Sequence, residues 1–295
     1  MYRTTPLKVG FLSLLFFALI LSGCTSGLAQ PSNELSYTLH SQESEIILQN
    51  LETGKLLNLT NKTSDDFWGS WSPDGRYMAF TSNRSKDLDV WILDLQKQET
   101  FDFSLNPNDD GWPAWSPDGK TIAFASTRDG TYDIWRENVD GTNLINLTKG
   151  PGDDGMPAWS PDSKRIAFSS DHTGHYEIYT IGADGLLPQQ ITNDNANDTA
   201  PAWSPDGKKL AYVSDRDKNK EIYVYDFDTK KSTNLTNNLG NDDTPAWSPD
   251  GKEIAFVSDR SDNQWDIYLM KSTGEIIKRL TNDAIQEWKP AWKPR

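Results

Sequence analysis

The sequence predicts an all-β fold, a six-bladed β-propeller of four-stranded blades in which N- and C-terminal strands share one closing blade. Three observations carry this. The string Trp-Ser-Pro-Asp recurs at Trp71, Trp115, Trp159, Trp203 and Trp247, always 44 residues apart, with a sixth partial copy at Trp292. A period in the low forties with a Trp and turn residues at a fixed offset is that of a propeller blade rather than of a helical solenoid. Each unit holds four short runs of strand character, and the two ends of the chain supply complementary fragments of one more unit.

The third copy shows the strands: Met156–Ser160, Arg165–Ser170, Tyr176–Ile181 and Pro188–Thr192. β-Branched and aromatic residues alternate with polar ones in the second and third runs, as half-buried strands require. Between the first and second stands Ser-Pro-Asp-Gly or its equivalent, where Pro fixes φ and Gly supplies a positive φ. Ser36-Tyr37-Thr38, Glu45–Leu48 and Leu57–Thr60 match the second, third and fourth strands with no first strand before them, and Pro290–Pro294 matches a first strand with nothing after it. Joined, they complete a sixth blade and leave neither end with an open edge. Repeated tryptophans are expected to fill space between facing sheets.

Residues 1–23 read as a targeting signal. Arg3 and Lys8 precede an apolar run from Val9 to Leu21, too short for a span but of secretory-signal length. Leu21-Ser22-Gly23-Cys24 is similar to the lipobox of bacterial lipoproteins, which implies lipid on Cys24, the single cysteine of the chain. Residues 24–33 are then a lipidated N-terminus and tether, and 34–295 the propeller, working close to a bacterial membrane in the periplasm or at the cell surface. Removing residues 1–23 takes away Arg3 and Lys8 and no acid, moving the net charge from −14 to −16. Such a surface repels phosphate backbones and favours cations or basic partners, which excludes nucleic acid.

Aligned on the repeated Trp, every blade carries an acid five positions earlier: Asp66, Asp110, Asp154, Asp198, Asp242 and Glu287. One position further back stand Asp65, Asp109, Asp153, Asn197, Asn241 and Gln286. A ring of carboxylates at a channel mouth could hold a hard cation such as calcium through oxygen ligands, or focus a basic peptide. Alternatively each acid pairs with the arginine thirteen residues after the Trp, at Arg84, Arg128, Arg216 and Arg260, with His172 in that place in the third copy. Nearer the Trp the pattern is one-sided. Trp68, Trp112 and Met156 occupy three consecutive copies and Trp288 lies next to the position in the closing one, whereas Ala200 and Thr244 fill the opposite side. This half-ring is either a recognition surface or a plug.

The strings Pro113–Lys120, Ile122–Ser126 and Asp133-Ile134-Trp135 resemble the WD-repeat-like propeller of the TolB family, over Glu34 to Arg295. The resemblance implies a periplasmic binding protein whose channel mouth receives proteins or peptides, although the α/β domain that precedes the propeller in TolB is replaced by the anchor. Similar propellers accompany serine hydrolases, but no Gly-x-Ser-x-Gly string is present. Others are pectin-fragment lyases with histidine-held metal, whereas His40, His172 and His175 do not make that set. The expectation is a monomeric, non-enzymatic, membrane-anchored binder of an envelope protein or basic peptide without a cofactor, the alternative being a glycan-binding surface lipoprotein or carbohydrate-active propeller enzyme.

Overall fold

A computed structural model describes residues 33–60, 63–282 and 285–294. The targeting segment, Cys24 and all but the last residue of the tether lie outside the described residues. Three strands come first: β1 (Glu34–His40), β2 (Ser44–Asn50) and β3 (Leu56–Asn58). Blade 1 is β4 (Asp66–Trp71), β5 (Tyr77–Ser82), β6 (Asp89–Asp94) and β7 (Glu99–Asp102). Blade 2 is β8 (Asp110–Trp115), β9 (Thr121–Ser126), β10 (Asp133–Asn138) and β11 (Ile145–Asn146). Blade 3 is β12 (Asp154–Trp159), β13 (Arg165–Ser170), β14 (Glu177–Gly182) and β15 (Gln189–Gln190). Blade 4 is β16 (Asp198–Trp203), β17 (Lys209–Ser214), β18 (Glu221–Asp226) and β19 (Lys231–Asn234). Blade 5 is β20 (Asp242–Trp247), β21 (Glu253–Ser258), β22 (Asp266–Lys271) and β23 (Ile276–Arg279), and β24 (Gln286–Trp292) ends the set.

The closing sheet runs β24-β1-β2-β3, with Leu35 opposite Trp292 and Leu39 opposite Glu287, so both ends of the described chain share one blade. Each innermost strand packs against the next, β4 to β8 and onward to β24 and back to β4, which closes the ring.

The repeated turn follows from its residues. Ser72 Oγ donates to Asp74 at 2.5 Å and accepts the Tyr77 amide at 2.9 Å, while Asp74 accepts the Arg76 amide at 3.1 Å. The same set recurs at Ser116, Ser160, Ser204 and Ser248. Gly75 at φ 65° takes the left-handed corner, and Ser163 takes it at φ 58° in the one copy that lacks glycine.

The apolar cores lie between blades. Ala123, Ala125 and Ile134 of blade 2 meet Trp159, Ile166, Phe168, Tyr179 and Ile181 of blade 3 in one such layer. The repeated tryptophans seal these layers, three of them donating Nε1 to the preceding blade: Trp71 to Ser36 Oγ, Trp159 to the Ala114 carbonyl and Trp292 to the Ala246 carbonyl, at 2.9, 3.0 and 3.0 Å. Burying such a side chain stabilises by roughly 1.5–3 kcal/mol. Innermost strands start earlier than expected, at Asp154 rather than Met156 in blade 3, because the strand continues through a bulge whose signature the sequence pattern hides. Outer strands are shorter than expected, Gln189–Gln190 instead of Pro188–Thr192.

Candidate functional site

Every innermost strand is kinked at one place. In β4 the register passes from Phe67 opposite Thr81 to Ser70 opposite Ala79, so Trp68 and Gly69 oppose one partner residue. The same bulge occurs in β8, β12, β16 and β20, and β24 shows a register shift of its own. The extra residue is left-handed in all six: Trp68 (φ 63°), Trp112 (51°), Met156 (53°), Ala200 (52°), Thr244 (48°) and Lys289 (53°). A non-glycine residue with positive φ is uncommon, and a β-branched one such as Thr244 is a strained outlier. Neighbouring blades hold some of these bulges: the Trp68 amide donates to Thr38 Oγ1 at 3.3 Å and the Trp112 amide to Thr81 Oγ1 at 3.1 Å. Six identical bends therefore present six different side chains around the axis.

Those side chains fall into two groups. Trp68 and Trp112 meet edge-to-face at 5.6 Å, Trp112 meets Tyr132 at 5.2 Å, and Met156 completes this side; all four are half-buried. Trp288 stands apart from them against Trp265, with ring centroids 4.6 Å apart. Opposite the aromatic side, Ala200 and Thr244 are small and buried, Asp243 is paired with Lys220 Nζ at 2.8 Å, and Lys289 is half-buried. Burial holds the Lys289 ammonium below the ordinary lysine range, with the Asp243 carboxylate working against that shift. The sequence reading missed Tyr132, Trp265 and Lys289. A signal for the first two existed, an aromatic immediately before the acid that opens the third strand of a blade.

The six acids do not form the open ring that the alignment suggested. The five aspartates open their strands, and all six acids are buried: 0 % exposed, except Asp154 at 6 %. Each aspartate lies opposite a serine of the next strand: Ser82, Ser126, Ser170, Ser214 or Ser258. Directly opposed residues share a face, so the carboxylates point between blades rather than at the axis. Arg84 donates to Asp66 at 2.6 Å, Arg128 to Asp110 at 3.0 Å, Arg216 to Asp198 at 2.9 Å and Arg260 to Asp242 at 2.8 Å. Each arginine Nε also donates to its serine. Each guanidinium lies over a cross-strand pair of rings, Phe80 and Trp91, Phe124 and Trp135, Tyr212 and Tyr223, or Phe256 and Tyr268, at 4.5–5.8 Å from their centroids. Glu287, whose blade has no arginine in the loop between β1 and β2, accepts from Thr281 Oγ1 at 3.0 Å.

Burial pushes the Asp110 and Asp198 carboxyls up against the pull of their serines and arginines. Asp154 rises to about 6 through burial, opposed by hydrogen bonds from Ser170 and Thr148. The neighbouring row is equally committed. Asp65, Asp109, Asp153, Asn197 and Asn241 accept the amides of Ser44, Leu88, Tyr132, Tyr176 and Lys220 of the preceding blade, at 2.9–3.3 Å. A further row of acids, unnoticed in the alignment, opens the third strands: Asp89, Asp133, Glu177, Glu221 and Asp266, all buried. A calcium ion would need oxygens of several blades to converge. The ring acids instead serve separate partners, and among the described residues no three His, Cys, Asp or Glu side chains are grouped to hold a metal.

The fold defines a closed six-bladed propeller whose innermost strands carry, at one repeated bulge, large apolar residues in three consecutive blades and small or charged ones in the other three. The chain belongs to the TolB beta propeller domain family, whose model matches residues 25–153, 146–228 and 200–295. It is similar in structure to TolB from Acinetobacter baumannii, with a TM-score of 0.79 and 21 % identity over 89 % of this chain and 67 % of that one. It is also similar to putative TolB from Agrobacterium tumefaciens, with a TM-score of 0.71 and 21 % identity over 86 % and 90 %. An oligogalacturonate lyase from Vibrio parahaemolyticus shares the fold at 0.60 and 17 % identity over 82 % and 72 %. At these identities the likeness is one of fold. No curated protein matches the chain.

Proposed function

We propose that this protein is a non-catalytic, membrane-anchored, extracytoplasmic binding protein whose channel mouth receives a protein or peptide partner. The observation that supports this best is the one-sided mouth. A backbone bend repeated six times carries Trp68, Trp112 and Met156 on consecutive blades and small or charged residues opposite. A plug would need bulk from every direction, whereas aromatic anchors on one side and the Asp243, Lys220 and Lys289 group on the other suit a ligand with an apolar and a polar flank. Trp288 and its neighbour Trp265 add a second aromatic contact on the closing side. Asp66, Asp110, Asp154, Asp198, Asp242 and Glu287 act in this reading as the foundation that fixes the loops around the mouth, not as groups the partner touches. The signal-like segment and Cys24 support anchoring by lipid, and membership of the TolB propeller family supports a place in the cell envelope.

The test is capture of envelope proteins on a soluble fragment from Ser32 to Arg295, compared with a folded variant carrying Trp68→Ala, Trp112→Ala and Met156→Ala. A partner kept by the first and lost by the second supports the mouth as the docking face. Equal capture by both moves recognition elsewhere on the propeller. Saturable binding of oligosaccharides with no protein captured would favour the glycan-binding alternative, and a hydrolase or lyase activity abolished by a point substitution would overturn the non-catalytic reading.

A further inference from the structure

Four blades share one device, and blade 3 has every part of it but one. In blades 1, 2, 4 and 5 the arginine of the loop between the second and third strands reaches in over two rings, its Nε on a serine and its Nη on a buried aspartate. Blade 3 keeps the rings as Phe168 and Tyr179, stacked at 5.9 Å, the serine as Ser170 and the aspartate as Asp154. In place of the arginine stands His172, which is exposed. Its Nδ1 lies 2.8 Å from Ser170 Oγ, so it takes over the contact of the missing Nε, and its ring tilts onto Tyr179 at 4.8 Å. Nothing takes over the contact of the missing Nη: among the described residues no cation pairs with Asp154. Correspondingly, Asp154 alone of the six acids retains some exposure.

A second observation points to the same gap. Glu177 Oε2 is buried with no hydrogen-bond partner among the described residues. Asp154 is registered opposite Ser170 and Ser170 opposite Glu177, which puts the three side chains on one face of the blade. Two ring faces, an aspartate with no cation and a carboxylate oxygen short of a donor are what a planar guanidinium satisfies, because its fork supplies five N–H groups and its faces stack on aromatics. A lysine ammonium offers neither the fork nor the stacking face.

We infer that the gap between Phe168, Tyr179 and Asp154 is a binding site for a guanidinium, supplied by an arginine side chain of a partner that displaces the His172 ring. The incoming group lies over the Phe168 and Tyr179 rings as Arg128 lies over Phe124 and Trp135, and donates to Asp154. The site is set between blades 2 and 3, off the axis, and it stands whether or not the channel mouth is the docking face.

The test titrates the folded soluble protein with Nα-acetyl-arginine amide, and separately with the lysine and citrulline equivalents, following chemical shifts of the Tyr179 ring and the residue 172 amide. Saturable shifts with arginine but not citrulline are expected, with lysine at least several-fold weaker. His172→Ala, which opens the gap, should strengthen arginine binding several-fold. His172→Arg, which fills it from within as in blades 1, 2, 4 and 5, should abolish binding and raise the melting temperature. Asp154→Asn should lose binding in a protein that still melts cooperatively. Equal response to arginine and citrulline overturns the inference, and so does undiminished arginine binding in His172→Arg.

Discussion

Blade 3 and blade 2 have nearly the same strands, turns and bulge, yet they end differently at the top. In blade 2 a buried aspartate, Asp110, is held by Arg128, itself largely sheltered and lying over Phe124 and Trp135. In blade 3 the equivalent Asp154 has no such partner, and His172 bonds the serine and leans on Tyr179 instead. The difference separates what the repeat needs from what it tolerates. The 44-residue unit fixes a backbone, and the ion pair at its top is a fitting that one blade can lack without losing its place in the ring. The same lesson holds at the axis, where Trp112 and Thr244 occupy one left-handed position in two blades.

The largest expected effect comes from breaking the pair where it exists. Arg128→Ala leaves Asp110 buried without its cation and should cost about 3–5 kcal/mol of stability by chemical denaturation. His172→Ala should cost under about 1 kcal/mol, as a largely exposed substitution. Equal losses would show that His172 does for blade 3 what Arg128 does for blade 2. Replacing Arg128 and Asp110 together by Met and Leu should recover most of the loss, because no uncompensated charge remains.

Next in size is recognition at the axis. Trp112→Ala should weaken capture of a partner by roughly tenfold or more, as loss of an aromatic anchor does, whereas Thr244→Ala should leave it within about twofold. If the two behave alike, the one-sidedness of the mouth has no part in binding.

A pH titration sharpens the contrast between blades further. Asp154 rises to about 6 through burial from an ordinary value near 3.8, so the folded protein holds that proton more tightly. The resulting stabilisation is full below about pH 4 and is lost as pH climbs through about 6. Asp154→Asn should therefore be more stable than the parent at pH 8, by about 1–3 kcal/mol, since each tenfold change in proton affinity is worth roughly 1.4 kcal/mol. Near pH 4 the variant should be no better than the parent. Asp89, raised to about 6 chiefly by burial, adds a slope of the same sign that the substitution leaves in place. A parent whose stability rises from pH 5 to pH 8 would contradict this.

The smallest effect is at the bulge. Thr244→Gly removes a β-branched residue from φ 48° and should stabilise by about 1 kcal/mol, read as a higher melting temperature. Ala200→Gly should gain less, since alanine has no branch at Cβ.

The repeat alone determined the blade count, the turn between the first two strands and the closing of the ring by both ends, because each depends on local periodicity and on the residues of a single turn. Ser72, Asp74 and Gly75 form that turn from contacts within six residues, and the match of Leu35 to Trp292 follows from the order of strands in any other blade. The alignment also brought the six acids, the arginines thirteen residues after four of the repeated tryptophans and the one-sided aromatics into view. It could not say where the acids point. A carboxylate just ahead of a Trp is equally compatible with an open ring and with a buried pair, and the choice was made by strand alternation in three dimensions, which turns Asp66 and Ser82 toward the neighbouring blade. Nor could it show that Trp68, Trp112, Met156, Ala200, Thr244 and Lys289 share one strained backbone angle, since the bulge depends on pairing with the next strand and leaves no fixed residue type behind. The gap beside Asp154 exists only as a difference between blades stacked in space, where a missing guanidinium leaves rings and carboxylates already in position.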